Sequence, residues 1–122
     1  MPQIARFGFV VEYVPDTDAA RRFYADVMGL QAQRVHPRFV QFDHFAVASD
    51  ESVSGTGETE TYWLVDDADA ALAEMSKKTA ITVPMQTREF GKVFAITGPA
   101  GQPQYVLELA RHRPSEVVGP QR

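Results

Sequence analysis

The chain has 122 residues, of which 44% are hydrophobic and 23% are charged, a size and composition typical of one globular domain. It contains no cysteine, which excludes disulfides, thiolate zinc sites, iron–sulfur clusters and a cysteine nucleophile. Lys and Arg total 12 against 16 Asp and Glu, and this net charge of −4 argues against nucleic acid as a partner, because phosphate binding needs concentrated positive charge.

Charged residues interrupt every apolar run before a membrane span could form, so we expect no membrane partner. Glu12, Asp16 and Asp18 lie where the apolar core of a signal peptide would be. We therefore expect a cytoplasmic protein with a single domain over residues 1–111, followed by a tail over residues 112–122.

The first half of the chain begins with a strand followed by a helix. β-Branched and aromatic residues favour a strand over residues 4–14. Asp16 then caps a helix, and Gly29 ends it. The predicted buried face of this helix consists of Ala20, Phe23, Tyr24, Val27 and Met28. Three short strand-like runs follow, at 30–35, 38–42 and 45–48.

The same order of elements recurs further along the chain. A shift of 51 residues places Asp16 on Asp67 and Phe39 on Phe90, and strand-like runs follow the second helix at 80–85, 92–97 and 104–109. This agreement favours an internal repeat in which each half reads strand, helix and three strands. The predicted fold class is α+β.

The segments that carry this repeat are 13–16 (YVPD), 23–30 (FYADVMGL), 63–71 (WLVDDADAA), 98–101 (GPAG) and 107–109 (LEL). In their order and spacing the chain resembles the vicinal oxygen chelate superfamily, which includes glyoxalase I, extradiol dioxygenases and bleomycin resistance proteins. The resemblance implies two βαβββ modules, about 4–49 and 58–110, whose sheets curve around a cleft. It also implies a homodimer, which is common in this superfamily.

Metal-dependent members of this superfamily carry one ligand on the first and last strand of each module. By resemblance, these positions are Phe9, Glu60, Glu108 and one residue within 45–48. Neither Phe9 nor the segment 45–48 offers a ligating side chain, and two carboxylates alone bind zinc, nickel or iron weakly. We therefore expect no metal cofactor. The alternative is one divalent ion held by Glu60 and Glu108 with a further ligand such as His44, or one from a partner subunit.

Alternation along the strands predicts which side chains line the cleft. We expect a small organic ligand to contact Phe9, Val11, Tyr13, Glu60, Tyr62 and Glu108. An apolar group at Phe9, where a metal ligand normally stands, suits such a ligand. Glu12 is instead expected under the first helix, with Arg21 or Arg22 as its partner.

These features predict a small-molecule-binding protein of the glyoxalase/bleomycin resistance type, which sequesters an organic ligand without a metal ion. The alternative is a divalent-metal-dependent lyase or dioxygenase resembling glyoxalase I. The two differ in one measurable property, the metal content of the purified protein.

Overall fold

A computed structural model of the chain describes residues 3–110. These residues form two successive βαβββ repeats, which confirms the predicted α+β fold. The first repeat comprises β1 (Arg6–Tyr13), α1 (Thr17–Asp26), β2 (Arg34–His36), β3 (Phe39–Gln41) and β4 (Phe45–Ala48). The second comprises β5 (Glu60–Leu64), α2 (Ala68–Met75), β6 (Ile81–Arg88), β7 (Gly91–Thr97) and β8 (Pro103–Leu109). The expected tail at 112–122 lies outside the described residues. Neither helix has the length and hydropathy that a membrane span requires.

The described chain separates into two compact units, residues 9–59 and residues 3–8 with 60–110. In the first unit β1 pairs with β4 in parallel, and β3 pairs antiparallel with both β4 and β2. In the second unit β5 pairs with β8 in parallel, and β7 pairs antiparallel with both β8 and β6. Residues 3–8, expected at the start of the first module, instead pack with the second unit, where Ile4 and Ala5 contact the core.

Both helices begin at the aspartates that the sequence predicts. The Asp16 carboxylate accepts hydrogen bonds from the backbone N–H groups of Asp18 and Ala19, at 3.0 and 3.2 Å. The Asp67 carboxylate accepts one from the backbone N–H of Ala70 at 3.0 Å. Each bond satisfies a donor that has no partner within its own helix, so local chemistry sets where the helices start.

Helix α1 buries a narrower face than its apolar pattern predicts. Ala20 and Tyr24 pack against the first core, whereas Phe23, Val27 and Met28 are 51%, 67% and 60% exposed. Val27 and Met28 follow the end of the helix at Asp26. The strands β2 and β3 have three residues each, so the sheet offers too small a surface to cover the whole stripe.

The core of the second unit lies between α2 and one face of its sheet. Ala68 and Ala71 of α2 pack against Phe94 of β7 and Val106 of β8, together with Val65. The two small alanines let the helix axis approach the sheet closely. One face of this sheet is thus covered by α2, and the opposite face carries no helix of this unit.

Candidate functional site

The strand register of residues 60–110 defines which side chains occupy that helix-free face. In the parallel pair of β5 and β8, Tyr62 lies beside Tyr105 and Leu64 lies beside Leu107. Side chains of residues that pair across a sheet point to the same face, and side chains of successive residues in one strand point to opposite faces. Since Val106 packs against α2, the two tyrosines and two leucines lie on the face opposite the helix.

Glu60 occupies the same face, because it precedes Tyr62 by two positions in β5. Its side chain is among the most buried of the described residues, with 1% of its surface exposed. The Tyr62 hydroxyl donates a hydrogen bond to Glu60 Oε1 at 2.9 Å. A buried carboxylate is costly unless it accepts hydrogen bonds, so the Tyr62 hydroxyl stabilises Glu60 in this position.

Aromatic rings and one cation extend this face beyond the Glu60–Tyr62 pair. The Tyr62 ring stacks on Tyr105 with centroids 5.3 Å apart, and it meets Phe90 edge-on at 6.5 Å. The guanidinium carbon of Arg88 lies 5.3 Å from the centroid of the Phe90 ring. Sequence reasoning did not assign Tyr105, Phe90 or Arg88 to a site. The repeat, which superposes Phe39 on Phe90, gave a signal for Phe90 alone.

The prediction that Glu108 lines the same face is wrong. Glu108 follows Leu107 and therefore points to the side of Val106, toward α2. Its Oε1 accepts a hydrogen bond from the backbone N–H of Ala68, the first residue of α2, at 2.9 Å. The N–H groups at a helix N-terminus attract a carboxylate, and this attraction accounts for the position of Glu108. Glu108 therefore stabilises the start of α2 from the helix-covered face of the sheet.

This arrangement does not fit the metal ion that the superfamily resemblance implies. Glu60 and Glu108 lie on opposite faces of one sheet, so they cannot ligate one ion together. Across residues 3–110, no three His, Asp or Glu side chains are grouped as a metal site requires. His44, the suggested third ligand, is exposed and lies beside Asp43, with Nε2 3.7 Å from Oδ1.

The sheet of residues 9–59 also has a face opposite its helix. Glu12 pairs with Val47, and Val47 packs in the core under α1. Phe9, Val11 and Tyr13 therefore point to the other face, as alternation predicts. Phe9 and Val11 are 2% and 3% exposed. Contact of these three side chains with a ligand stays a prediction.

Glu12 has a different partner from the one predicted. The Tyr24 hydroxyl donates a hydrogen bond to Glu12 Oε1 at 2.6 Å, whereas Arg21 and Arg22 are exposed. Tyr24 faces the sheet and the two arginines do not, because successive helical positions are spread around the axis. The hydrogen bond to Glu12 is the main cause that raises the pKa of Tyr24, followed by burial and the Glu12 charge.

Comparison with known proteins gives a family match and several similar structures. Residues 6–103 match the model of the Glyoxalase/Bleomycin resistance protein/Dioxygenase superfamily. A search of curated protein sequences found no match. A solved structure described as NAD-dependent benzaldehyde dehydrogenase from Legionella pneumophila superposes with a TM-score of 0.67 at 19% identity, over 84% of this chain and 98% of that chain.

Two further similar structures have other described activities. Methylmalonyl-CoA epimerase from Streptomyces coelicolor superposes with a TM-score of 0.63 at 16% identity, over 89% of this chain and 100% of that chain. An extradiol ring-cleaving dioxygenase from B. fuscum gives 0.58 at 17% identity, over 92% of this chain and 34% of that chain. Such low identities show a shared fold, on which different chemistries are found. With the family model matched over residues 6–103, the chain belongs to the glyoxalase/bleomycin resistance protein/dioxygenase superfamily.

Proposed function

We propose that the protein binds a small organic ligand on the helix-free face of residues 60–110, without a metal ion, and that Glu60 is the polar anchor. The observation that carries this proposal is the 1% exposed Glu60 carboxylate, hydrogen-bonded to the Tyr62 hydroxyl at 2.9 Å. A carboxylate only accepts hydrogen bonds, so its partner on the ligand is a cationic or N–H donor. Proteins of the bleomycin resistance type sequester an organic ligand, and this is the activity proposed here.

The surroundings of Glu60 favour a flat ligand. Tyr62, Tyr105 and Phe90 form an aromatic cluster beside Glu60. Phe90 is the partly exposed ring of this cluster, and we expect a planar ligand to pack against it. The net charge of −4 favours the approach of a cation rather than an anion. We therefore expect an aromatic or heteroaromatic amine to bind better at this face than a neutral isostere.

A thermal-shift screen of aromatic amines and their neutral isosteres tests this proposal. A ligand at 100 times its Kd stabilises the folded protein by about 2.7 kcal/mol. Glu60→Gln should weaken an amine that binds the parent by about tenfold or more, since a hydrogen bond to a charged group contributes about 1.5–3 kcal/mol. Glu58→Gln is the matched control, because Glu58 is exposed two residues earlier. Equal affinity of the parent and Glu60→Gln for every amine found would overturn the proposal.

The metal-dependent alternative predicts a different result in a second assay. It needs at least three ligands, which the described residues 3–110 do not bring together. Metal analysis of protein purified without chelator should therefore read near zero per chain. A value near one that falls in the Glu60→Gln variant would support the lyase or dioxygenase alternative instead.

We further propose that the protein is a homodimer. Phe23, Val27 and Met28, at and just beyond the end of α1, are each more than half exposed. Contiguous exposed apolar side chains mark surfaces that associate with a partner. Most oligomers are homo-oligomers, and the two-fold dimer is the commonest form, so the expected partner is a second copy of this chain.

A further inference from the structure

The outer surface of α1 carries an apolar ridge formed by Ala19, Phe23 and Val27. These residues follow one another at four-residue intervals, and residues four apart lie on one side of an α-helix. All three are exposed, Phe23 by 51% and Val27 by 67%. The Phe23 ring meets the Tyr24 ring edge-on at 5.1 Å, and Tyr24 packs against the core. Phe23 is therefore held at the surface by a ring contact without being buried.

Two opposite charges lie beside this α1 ridge. Arg22 and Asp26, also four residues apart, form the next row around the helix. Ala20 and Tyr24, which pack against the core, lie on the other side of the ridge. Arg22 and Asp26 are exposed, and neither forms an ion pair or a side-chain hydrogen bond with any of residues 3–110. An apolar centre bordered by polar groups is the usual anatomy of a protein–protein interface.

We propose that the α1 ridge is the interface between two copies of this chain, with the two α1 helices packed antiparallel about a two-fold axis near Phe23. The proposal rests on the homodimer proposed above and names its interface. In this arrangement Phe23 meets Phe23 of the partner subunit, and Ala19 lies opposite Val27 of the partner subunit. Arg22 is then within reach of Asp26 of the partner subunit, and the symmetry repeats this contact. Two ion pairs therefore flank the apolar centre.

The charges of α1 select the antiparallel arrangement over a parallel one. A parallel two-fold pair places Arg22 against Arg22 of the partner subunit and Asp26 against Asp26 of the partner subunit, so both contacts repel. It also brings together helix ends of the same dipole sign, which the antiparallel pair avoids. A helix of 10 residues buries less than the roughly 800 Å² per partner of a standard interface. We therefore expect a dimer that exchanges its subunits in solution.

Charge reversal, measured by sedimentation over a dilution series, tests this pairing. Arg22→Glu and Asp26→Arg should each raise the dimer Kd by about tenfold or more, because two symmetry-related contacts change from attraction to repulsion. The double variant Arg22→Glu/Asp26→Arg restores opposite charges and should return the Kd to within about threefold of the parent value. Arg21→Glu is the matched control for Arg22→Glu. It changes the net charge equally at an exposed position that points away from the ridge, and it should leave the Kd unchanged.

A mixture of the two single variants gives a second measurement. Arg22→Glu and Asp26→Arg are complementary to each other, because the carboxylate introduced at position 22 meets the arginine introduced at position 26. The mixture should form heterodimers with a Kd near that of the parent homodimer, and circular dichroism verifies that each variant is folded. A dimer that neither reversal weakens, or a mixture no tighter than each variant alone, would overturn the α1 pairing and leave the homodimer in place. A monomer at every concentration would reject both.

Discussion

Replacing Glu108 with alanine removes the acceptor of the Ala68 backbone N–H, a hydrogen bond of 2.9 Å at the start of α2. Ala68 is 0% exposed, so water cannot readily take the place of the lost carboxylate. The other capping bond, from Ala70 to Asp67, stays in place and keeps the helix start defined. The change therefore isolates one contact between strand β8 and helix α2.

The expected loss follows from this geometry. A hydrogen bond between a charged group and a buried N–H contributes about 1.5–3 kcal/mol, and the partial exposure of Glu108 favours the lower half, about 1.5–2 kcal/mol. At roughly 4 °C per kcal/mol for a chain of this size, the Tm should fall by about 6–8 °C. Glu108→Gln keeps an oxygen acceptor and loses only the charge at the helix N-terminus, worth about 0.3–1 kcal/mol.

Urea unfolding at pH 7, followed by circular dichroism, measures both variants. Glu89→Ala is the matched control, because Glu89 is exposed in the turn between β6 and β7. An unchanged midpoint for Glu108→Ala would refute the structural role of this carboxylate. A loss that is equal in Glu108→Gln and Glu108→Ala would show that the charge, rather than the acceptor, stabilises α2.

Three further predictions concern other parts of the molecule. Tyr24→Phe removes a 2.6 Å hydrogen bond to Glu12 and should cost about 1 kcal/mol in urea unfolding. The pKa of Tyr24 is raised from 10.0 in the folded protein, so this stabilisation should be fully present below pH 10 and be lost as the pH rises above it. The phenylalanine variant has no hydroxyl to titrate, and its stability should not show this loss. Phe9→His should bind no more zinc than the parent after dialysis, because Glu60 and Glu108 lie on opposite faces of the sheet and cannot both join the new histidine at one ion. One zinc ion per chain would contradict this prediction. Light scattering should give about twice 13.6 kDa, and a mass of 13.6 kDa at micromolar concentration would reject the dimer.

The elements of the fold were predictable because their signals are local. Asp16 and Asp67 cap helices through bonds to N–H groups two or three positions away, and both were identified from the sequence. Alternation along β1 correctly placed Phe9 and Glu12 on opposite faces. The strand runs were also identified, although β2 begins at Arg34, four residues after the predicted start at 30, and β6 extends to Arg88, three residues beyond the predicted end.

The failures concern contacts between elements. The apolar pattern of α1 includes Phe23, yet the sheet beneath is too narrow to cover it. Arg21 and Arg22 were the expected partners of Glu12, yet the residue that faces the sheet is Tyr24. In each case the sequence correctly predicted the type of contact, apolar packing or a hydrogen-bonded partner for Glu12. It did not predict which helix residue faces the sheet and makes that contact.

The amino-acid sequence by itself determined the order of elements, the internal repeat, the superfamily and the absence of a metal ligand at Phe9. Tertiary structure alone decided that Glu60 is buried with Tyr62 and that Glu108 binds the start of α2. The reason is the two-residue period of a strand: a shift of one residue in the register moves every side chain to the other face. Capping and periodicity are set by near neighbours, whereas the register of β8 is set by pairing with strands far away in the sequence.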